Sequence, residues 1–308
     1  MVYDIIPDIH GQFWKLSALL SKLGYREFAS GWRHPDQSRM VVFLGDFIDR
    51  GPQNAEVLQL VRRMLDNGSA RAIMGNHELN ALHYHTLHPE TGKPLRARSP
   101  KNQKQHIAFL REFAPSELHT VDALAWMASL PLYLDLKEFR VVHACWNDRA
   151  IEQLRSSTEN GVLSGDQIVN AADNSNSLSA AIDLATKGPE ARLPQNHSFR
   201  DKEGHERFDI RVKWWNREAR DWRGLAMSVP NPDELPDISL PPQMIAETYA
   251  QDANPVFFGH YWMSGDISQQ APNALCLDYS AGTDGPLISY RFEEGDRNIF
   301  LSRITDHL

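Results

Sequence analysis

Short apolar runs that end in a polar tip recur along this chain, and most are followed by residues with helical spacing. Tyr3 to Pro7 is β-prone and ends in Asp8-Ile9-His10-Gly11. Phe13, Leu16, Leu19, Leu20 and Leu23 then recur every three or four residues, which predicts a helix stopped at Gly24. The pattern repeats with Met40 to Leu44, which runs into Gly45-Asp46-Phe47-Ile48-Asp49-Arg50-Gly51. A helical stripe follows at Val57, Leu60, Val61, Met64 and Leu65, with Asn54 as its N-cap and Asn67-Gly68 as its stop. A third unit runs from Ala70 to Met74 into Gly75-Asn76-His77-Glu78.

Further on, Gly92 to His106 is polar and basic, carrying Lys93, Arg96, Arg98, Lys101 and Lys104 without an acidic residue. It reads as a solvated loop entering a helix at Gln105 to Phe113, or as a loop placed over a site to attract a phosphorylated substrate. Ala123 to Leu130 is helical in pattern, and Phe139 to Val142 is a strand ending at His143-Ala144-Cys145-Trp146. The stretch at about 147–242 reads as a mostly helical insertion or lid with a proline-punctuated end. Val256-Phe257-Phe258 then leads into Gly259-His260-Tyr261-Trp262, and strands at Ala274 to Tyr279, Leu287 to Phe292 and Ile299 to Ser302 close the chain.

Composition narrows the class without fixing it. The 308 residues are 42% hydrophobic and 23% charged, ordinary for a soluble protein, and no apolar run approaches a membrane span. The N-terminus lacks the features of a signal peptide, which predicts a cytoplasmic protein. Two cysteines, Cys145 and Cys276, are too few for a disulfide framework or a thiolate metal site. A net charge of −8 argues against non-specific nucleic-acid binding.

The polar tips carry the chemistry. Asp8 and His10, Asp46, Asn76 with His77, His143, and His260 all stand at the C-terminal ends of apolar strands, the edge where α/β sheets bind ligands. Each alone reads as a turn residue or a structural histidine. Together, Asp8, Asp46 and Asn76 offer oxygens and His10, His143 and His260 offer imidazoles, with no sulfur. That donor set suits two divalent ions, manganese first and iron or zinc next, with Asp46 as the natural bridge. Two such ions activate a water and clamp the oxygens of an in-line phosphoryl displacement.

The ordered motifs DIHG, GDFIDRG, GNHE, VVHA and FGHYW, from Asp8 to Trp262, resemble the phosphoprotein-phosphatase branch of the calcineurin-like metallophosphoesterases. The C-terminal part is similar also to bacterial diadenosine tetraphosphatases. The resemblance implies an α/β fold, a two-layer β-sandwich flanked by helices, in a single domain over 1–308 with the insertion inside it. It implies that Asp8, His10 and Asp46 bind one metal, that Asp46, Asn76, His143 and His260 bind the other, and that His77 is the catalytic general acid.

Asp49 would hold His77 in the right tautomer, and Arg50 offers a fork matched to phosphate. A second phosphate-binding arginine is sought among Arg211, Arg217, Arg220 and Arg223, with Arg211 and Arg217 taken as candidates. Glu78 is read as supporting its loop or capping the next helix. Trp146 is read as core with base stacking as the alternative, and His83, His85 and His88 as surface or rim residues.

The implied activity is phosphate-ester hydrolysis by a metal-bridging hydroxide. The substrate is a phosphomonoester, including phosphoprotein, or alternatively a dinucleoside tetraphosphate cut symmetrically to two ADP. A nucleic-acid phosphodiesterase and a non-catalytic phosphate sensor rank behind these. The acidic charge counts against the first and the full ligand set against the second.

Overall fold

Strands that read as unbroken apolar runs must be covered on both faces. The computed structural model, which describes residues 1–308 apart from 174–175, 202–203, 243 and 245–247, shows how. A five-stranded sheet has the order Ile304–Asp306, Ile288–Glu293, Val2–Ile6, Arg39–Phe43, Ala70–Ala72. Its last three strands are mutually parallel and the two C-terminal ones antiparallel. A four-stranded sheet has the order Ala274–Cys276, Val256–Phe258, Arg140–Val142, Tyr133–Asp135, parallel except for the last pair.

Successive strand residues point to opposite faces. Ile5, Val42, Val141, Phe257, Leu275, Tyr290 and Phe292 therefore form one buried cluster drawn from both sheets. Ile6, Val41, Phe43, Val142, Val256 and Phe258 join a second with helix residues such as Leu16, Leu19, Val57 and Val61. The result is a two-layer sandwich with helices outside.

Several predicted boundaries shift. The helix expected from Gln105 starts at Pro100 and ends at Glu112. Ser99 caps it by accepting a bond from the Asn102 amide, and Pro100 takes the first helical position, whereas Lys101 to Lys104 carry no apolar residue that periodicity could detect. The strand expected at Ile299 to Ser302 is instead a 3₁₀ turn at Leu301–Arg303 followed by the strand Ile304–Asp306.

The stretch read as a mostly helical insertion carries its longer helices in its first half, at Asp148–Ser157, Gly165–Ala171 and Ser177–Lys187, and only the short turns Trp222–Leu225 and Pro232–Glu234 among the described residues of its second half. A small antiparallel sheet follows, Ala226–Met227, Asp209–Val212, Glu190–Arg192, over a separate core of Ile210, Trp222, Leu225 and Leu240. Strands of two to four residues are too short to show a period of two. Positions 174–175 and 202–203 of the predicted lid lie outside the described residues. Trp214 fixes this segment to the sandwich by packing at a tilt on Phe258, centroids 4.8 Å apart, and donating to the Ala144 carbonyl.

Among the described residues no helix is long and apolar enough to cross a membrane. Trp146 is core: it is buried, packs edge-on to Tyr133 and donates from Nε1 to Asp148.

Candidate active site

Both sheets deliver donors to the same edge. Asp8 follows Val2–Ile6, Asp46 follows Arg39–Phe43, Asn76 follows Ala70–Ala72, His143 follows Arg140–Val142, and His260 follows Val256–Phe258. The loops approach so closely that some positions exclude a side chain. A Cβ on Gly75 would collide with the Asp46 carboxylate, and one on Gly259 with that of Asp8. Six non-glycine residues here hold left-handed backbone: His10 (φ 50°), Asp46 (52°), Asp49 (70°), Arg50 (66°), His260 (72°) and Trp262 (53°). Such conformations cost about 1–3 kcal/mol each and cluster where function demands them.

Asp46 is the hub. Its Oδ2 lies 3.4 Å from His143 Nε2, 3.6 Å from His10 Nε2 and 4.0 Å from His77 Nε2. Two groups with metal-ligand spacing meet at it, His10–Asp46–His77 and Asp8–Asp46–His143. Asn76 Oδ1 lies 3.0 Å from His143 Nε2 and 2.8 Å from His260 Nδ1. The tautomers are set from outside: His10 Nδ1 is bonded to the Ile48 carbonyl at 2.9 Å and His143 Nδ1 to that of Leu44 at 2.8 Å. This turns the Nε2 atoms inward, as in metal-ligating histidines. His10 Nε2 and His260 Nε2 are buried with no hydrogen-bond partner. Orphaned imidazole nitrogens beside buried carboxylates are what a divalent-ion site requires, so the residues present fit two such ions.

The electrostatics point the same way. Burial pushes the Asp46 carboxyl up, but the charges of His143 and His77 outweigh it and hold the group well below the usual range. Burial likewise disfavours a charged His143, yet Asp46 and Asp8 raise it to about 10. Burial and the nearby His77 charge push His10 down to about 3.

Glu78 serves both roles read for it. It accepts from the backbone amides of Asp46 and Phe47, each at 2.8 Å, and from that of Gly75 at 2.9 Å. Glu78→Gln points an NH2 at these donors and is expected to destabilise the chain by about 1–3 kcal/mol. An unchanged denaturation midpoint would contradict this role.

His77 sits at the start of the helix Asn76–His85, and its Nδ1 lies 2.5 Å from Asp49 Oδ2. Burial lowers the affinity of His77 for a proton, but the Asp46 charge and the Asp49 bond raise it above the ordinary value. The other Asp49 oxygen, Oδ1, is bonded to Nδ1 of buried His106 at 2.8 Å. Sequence reading missed His106, because nothing in its helical segment marks which residue turns inward. Asn54 also differs from expectation. Gln53 occupies the N-cap position, and Asn54 Oδ1 instead accepts from the Asp49 amide at 2.6 Å.

A cavity of about 560 Å³ opens over the donors, with Asp46, Asn76, His77 and His260 at its floor. Arg50 and Arg211 line it; Arg50 is stacked 3.8 Å over the Trp262 ring. Arg217 is exposed and does not line it, so of the two candidates only Arg211 faces the floor. Arg96 and Lys104 of the basic stretch and Lys187 of the insertion also reach the walls. His83, read as a rim residue, is buried and bonded to the Ile168 carbonyl, and His85 packs edge-on to His106.

A sandwich of this form with its donors on one edge defines the metallophosphoesterase class. The chain belongs to the calcineurin-like phosphoesterase family, whose model matches residues 1–261. It is 33% identical over 170 residues to the protein named asymmetrical bis(5'-nucleosyl)-tetraphosphatase PrpE of Bacillus velezensis, a match covering 54% of this chain and 65% of that one. A protein of the same name from Halalkalibacterium halodurans is also 33% identical, over 54% and 66%. The chain thus spans just under two thirds of the length of these relatives. Among solved structures, the cold-active protein-tyrosine phosphatase of a psychrophilic Shewanella shares the fold at 16% identity, with a TM-score of 0.51 over 100% of this chain and 80% of that one.

Proposed function

We propose that the chain hydrolyses phosphoric esters or anhydrides at two divalent ions, manganese in the first instance, held by Asp8, His10, Asp46, Asn76, His143 and His260. Bound there, such ions supply an acidified water and neutralise charge on the phosphoryl oxygens. The observation that carries the reading is the His77–Asp49 contact of 2.5 Å beside the convergent donors. His77 Nε2 faces the cavity floor while Nδ1 is held by Asp49, so His77 protonates the leaving oxygen. Arg50 and Arg211 hold the non-bridging oxygens. The insertion acts as a wall of the site through Lys187 and Arg211.

Within that reaction class, Arg96, Lys104 and Lys187 on the walls favour a substrate whose negative charge extends beyond the transferred group. A nucleoside polyphosphate has that form. The names of the relatives favour an asymmetrical cut, which for a tetraphosphate chain yields a nucleoside triphosphate and a monophosphate, over the symmetrical cut to two ADP that is the alternative read from the sequence. A phosphomonoester, including phosphoserine or phosphothreonine in a protein, is the second reading, favoured by the Asp49–His77 pair.

Incubation with diadenosine tetraphosphate, p-nitrophenyl phosphate and a phosphopeptide, with manganese present, separates these readings by their products. ATP with AMP supports the first. Turnover of the monoesters alone supports the second, and no hydrolysis of any of them refutes the reaction class. In the same assay Arg211→Ala is expected to lower kcat/KM by about tenfold or more, the loss of a charge-assisted bond, and Arg217→Ala to leave it unchanged. Equal effects would remove Arg211 from the site.

A further inference from the structure

The helix Pro100–Glu112 touches the loop carrying Asp49 at two points. His106 Nδ1 lies 2.8 Å from Asp49 Oδ1, the oxygen that His77 does not use. Six residues on, Glu112 accepts from the Asn54 amide at 2.9 Å, from Asn54 Nδ2 at 2.6 Å and from the Ala55 amide at 2.8 Å. Asn54 in turn receives the Asp49 amide and holds the Gly51 carbonyl. One helix therefore fixes the Asp49 carboxylate directly and its backbone through Asn54. His106 is itself locked: its ring stacks on Phe109 with centroids 4.8 Å apart, and its Nε2 lies 3.4 Å from His85 Nε2.

A carboxylate with a single partner is free to swing about its last torsion, which is broad. A donor on each oxygen leaves one orientation. We infer that His106 is a positioning residue, which aims the Asp49 carboxylate at His77 from the helix that also forms the cavity wall. This rests on the proposed hydrolytic role of His77. His106 touches no reacting atom; it acts through Asp49, and it sets the rate of the step rather than the affinity for substrate.

The test compares three variants. His106→Phe keeps the stack on Phe109 and removes the donor. His106→Asn places an amide N–H near the position of Nδ1, and His106→Gln moves that donor outward. The Phe and Gln variants are expected to lose about 10- to 100-fold in kcat, the usual cost of removing a group that orients an active-site ligand, with KM almost unchanged. The Asn variant is expected to recover most of the loss.

The second readout needs no turnover. In the zinc-loaded chain, which has no unpaired electrons, the downfield imidazole N–H resonance of His77 on Asp49 is expected to persist in wild type and His106→Asn. It should broaden or move in the other two. Wild-type kcat in the Phe and Gln variants, or equal losses in all three with the resonance kept, would overturn the inference. If the wild type hydrolyses no phosphate ester, the hydrolytic reading fails, and the resonance still decides whether His106 orients Asp49 and His77.

Discussion

Replacing His77 by alanine is expected to slow hydrolysis by about 10²- to 10⁴-fold, the range for a positioned general acid. The loss should depend on the leaving group. An alkyl phosphate leaves as a strongly basic oxygen that must be protonated and should suffer the full effect, whereas p-nitrophenolate needs little help and should suffer least. A loss of equal size on both substrates would mean that His77 organises the site rather than donating a proton.

The pH dependence follows from the same contacts. The carboxylates of Asp46 and Asp49 outweigh burial and hold the His77 proton above the ordinary histidine value. An acid with a raised pKa is fully protonated below that value and loses its proton as pH rises through it. Activity should therefore fall on the alkaline side. Asp49→Asn removes one of the two negative charges, so the alkaline limb is expected to move to lower pH, which a kcat profile across neutral pH would detect.

Chelation is the second large effect expected. Two buried imidazole nitrogens, on His10 and His260, lack partners, and carboxylates and imidazoles crowd around Asp46 Oδ2. Prolonged treatment with EDTA should abolish turnover, and added manganese should restore it. Ligand linkage stabilises a folded chain by about 2.7 kcal/mol when free ion stands at 100 times its Kd, so the melting temperature should fall with chelation by several degrees. Asn76→Ala removes an oxygen near both His143 and His260, and should raise the manganese needed for half-maximal activity or abolish turnover. Full activity after exhaustive chelation would rule out the metal role of all six donors.

Much of this is legible in the sequence. The apolar runs ending in Asp8, Asp46, Asn76, His143 and His260 gave the strands and their common edge, because buried parallel strands must be apolar throughout and their ligands must sit at the tips. The sandwich itself came with the family resemblance, since nothing in the runs says how strands from residues 2–72 and 140–276 are divided between sheets. What stayed hidden depended on tertiary contact. His106 looks like any polar residue on an exposed helix until Asp49 is placed beside it. Asn54 has the composition of a cap, yet a backbone amide from the neighbouring turn competes for the same oxygen and wins. Arg211 and Arg217 are equivalent in sequence and are separated only by which one the short strand Asp209–Val212 points at the cavity.

The donor set also spans almost the whole chain: the His260 amide reaches the carboxylate of Asp8 across 252 positions, between the two sheets. Joining ends so far apart costs loop-closure entropy that local structure cannot offset early in folding. The site is thus complete only once both sheets have docked, and it is assembled late. Ions bound there would act as a cross-link over that long loop, so their first effect on lifetime should be to slow unfolding rather than to speed folding.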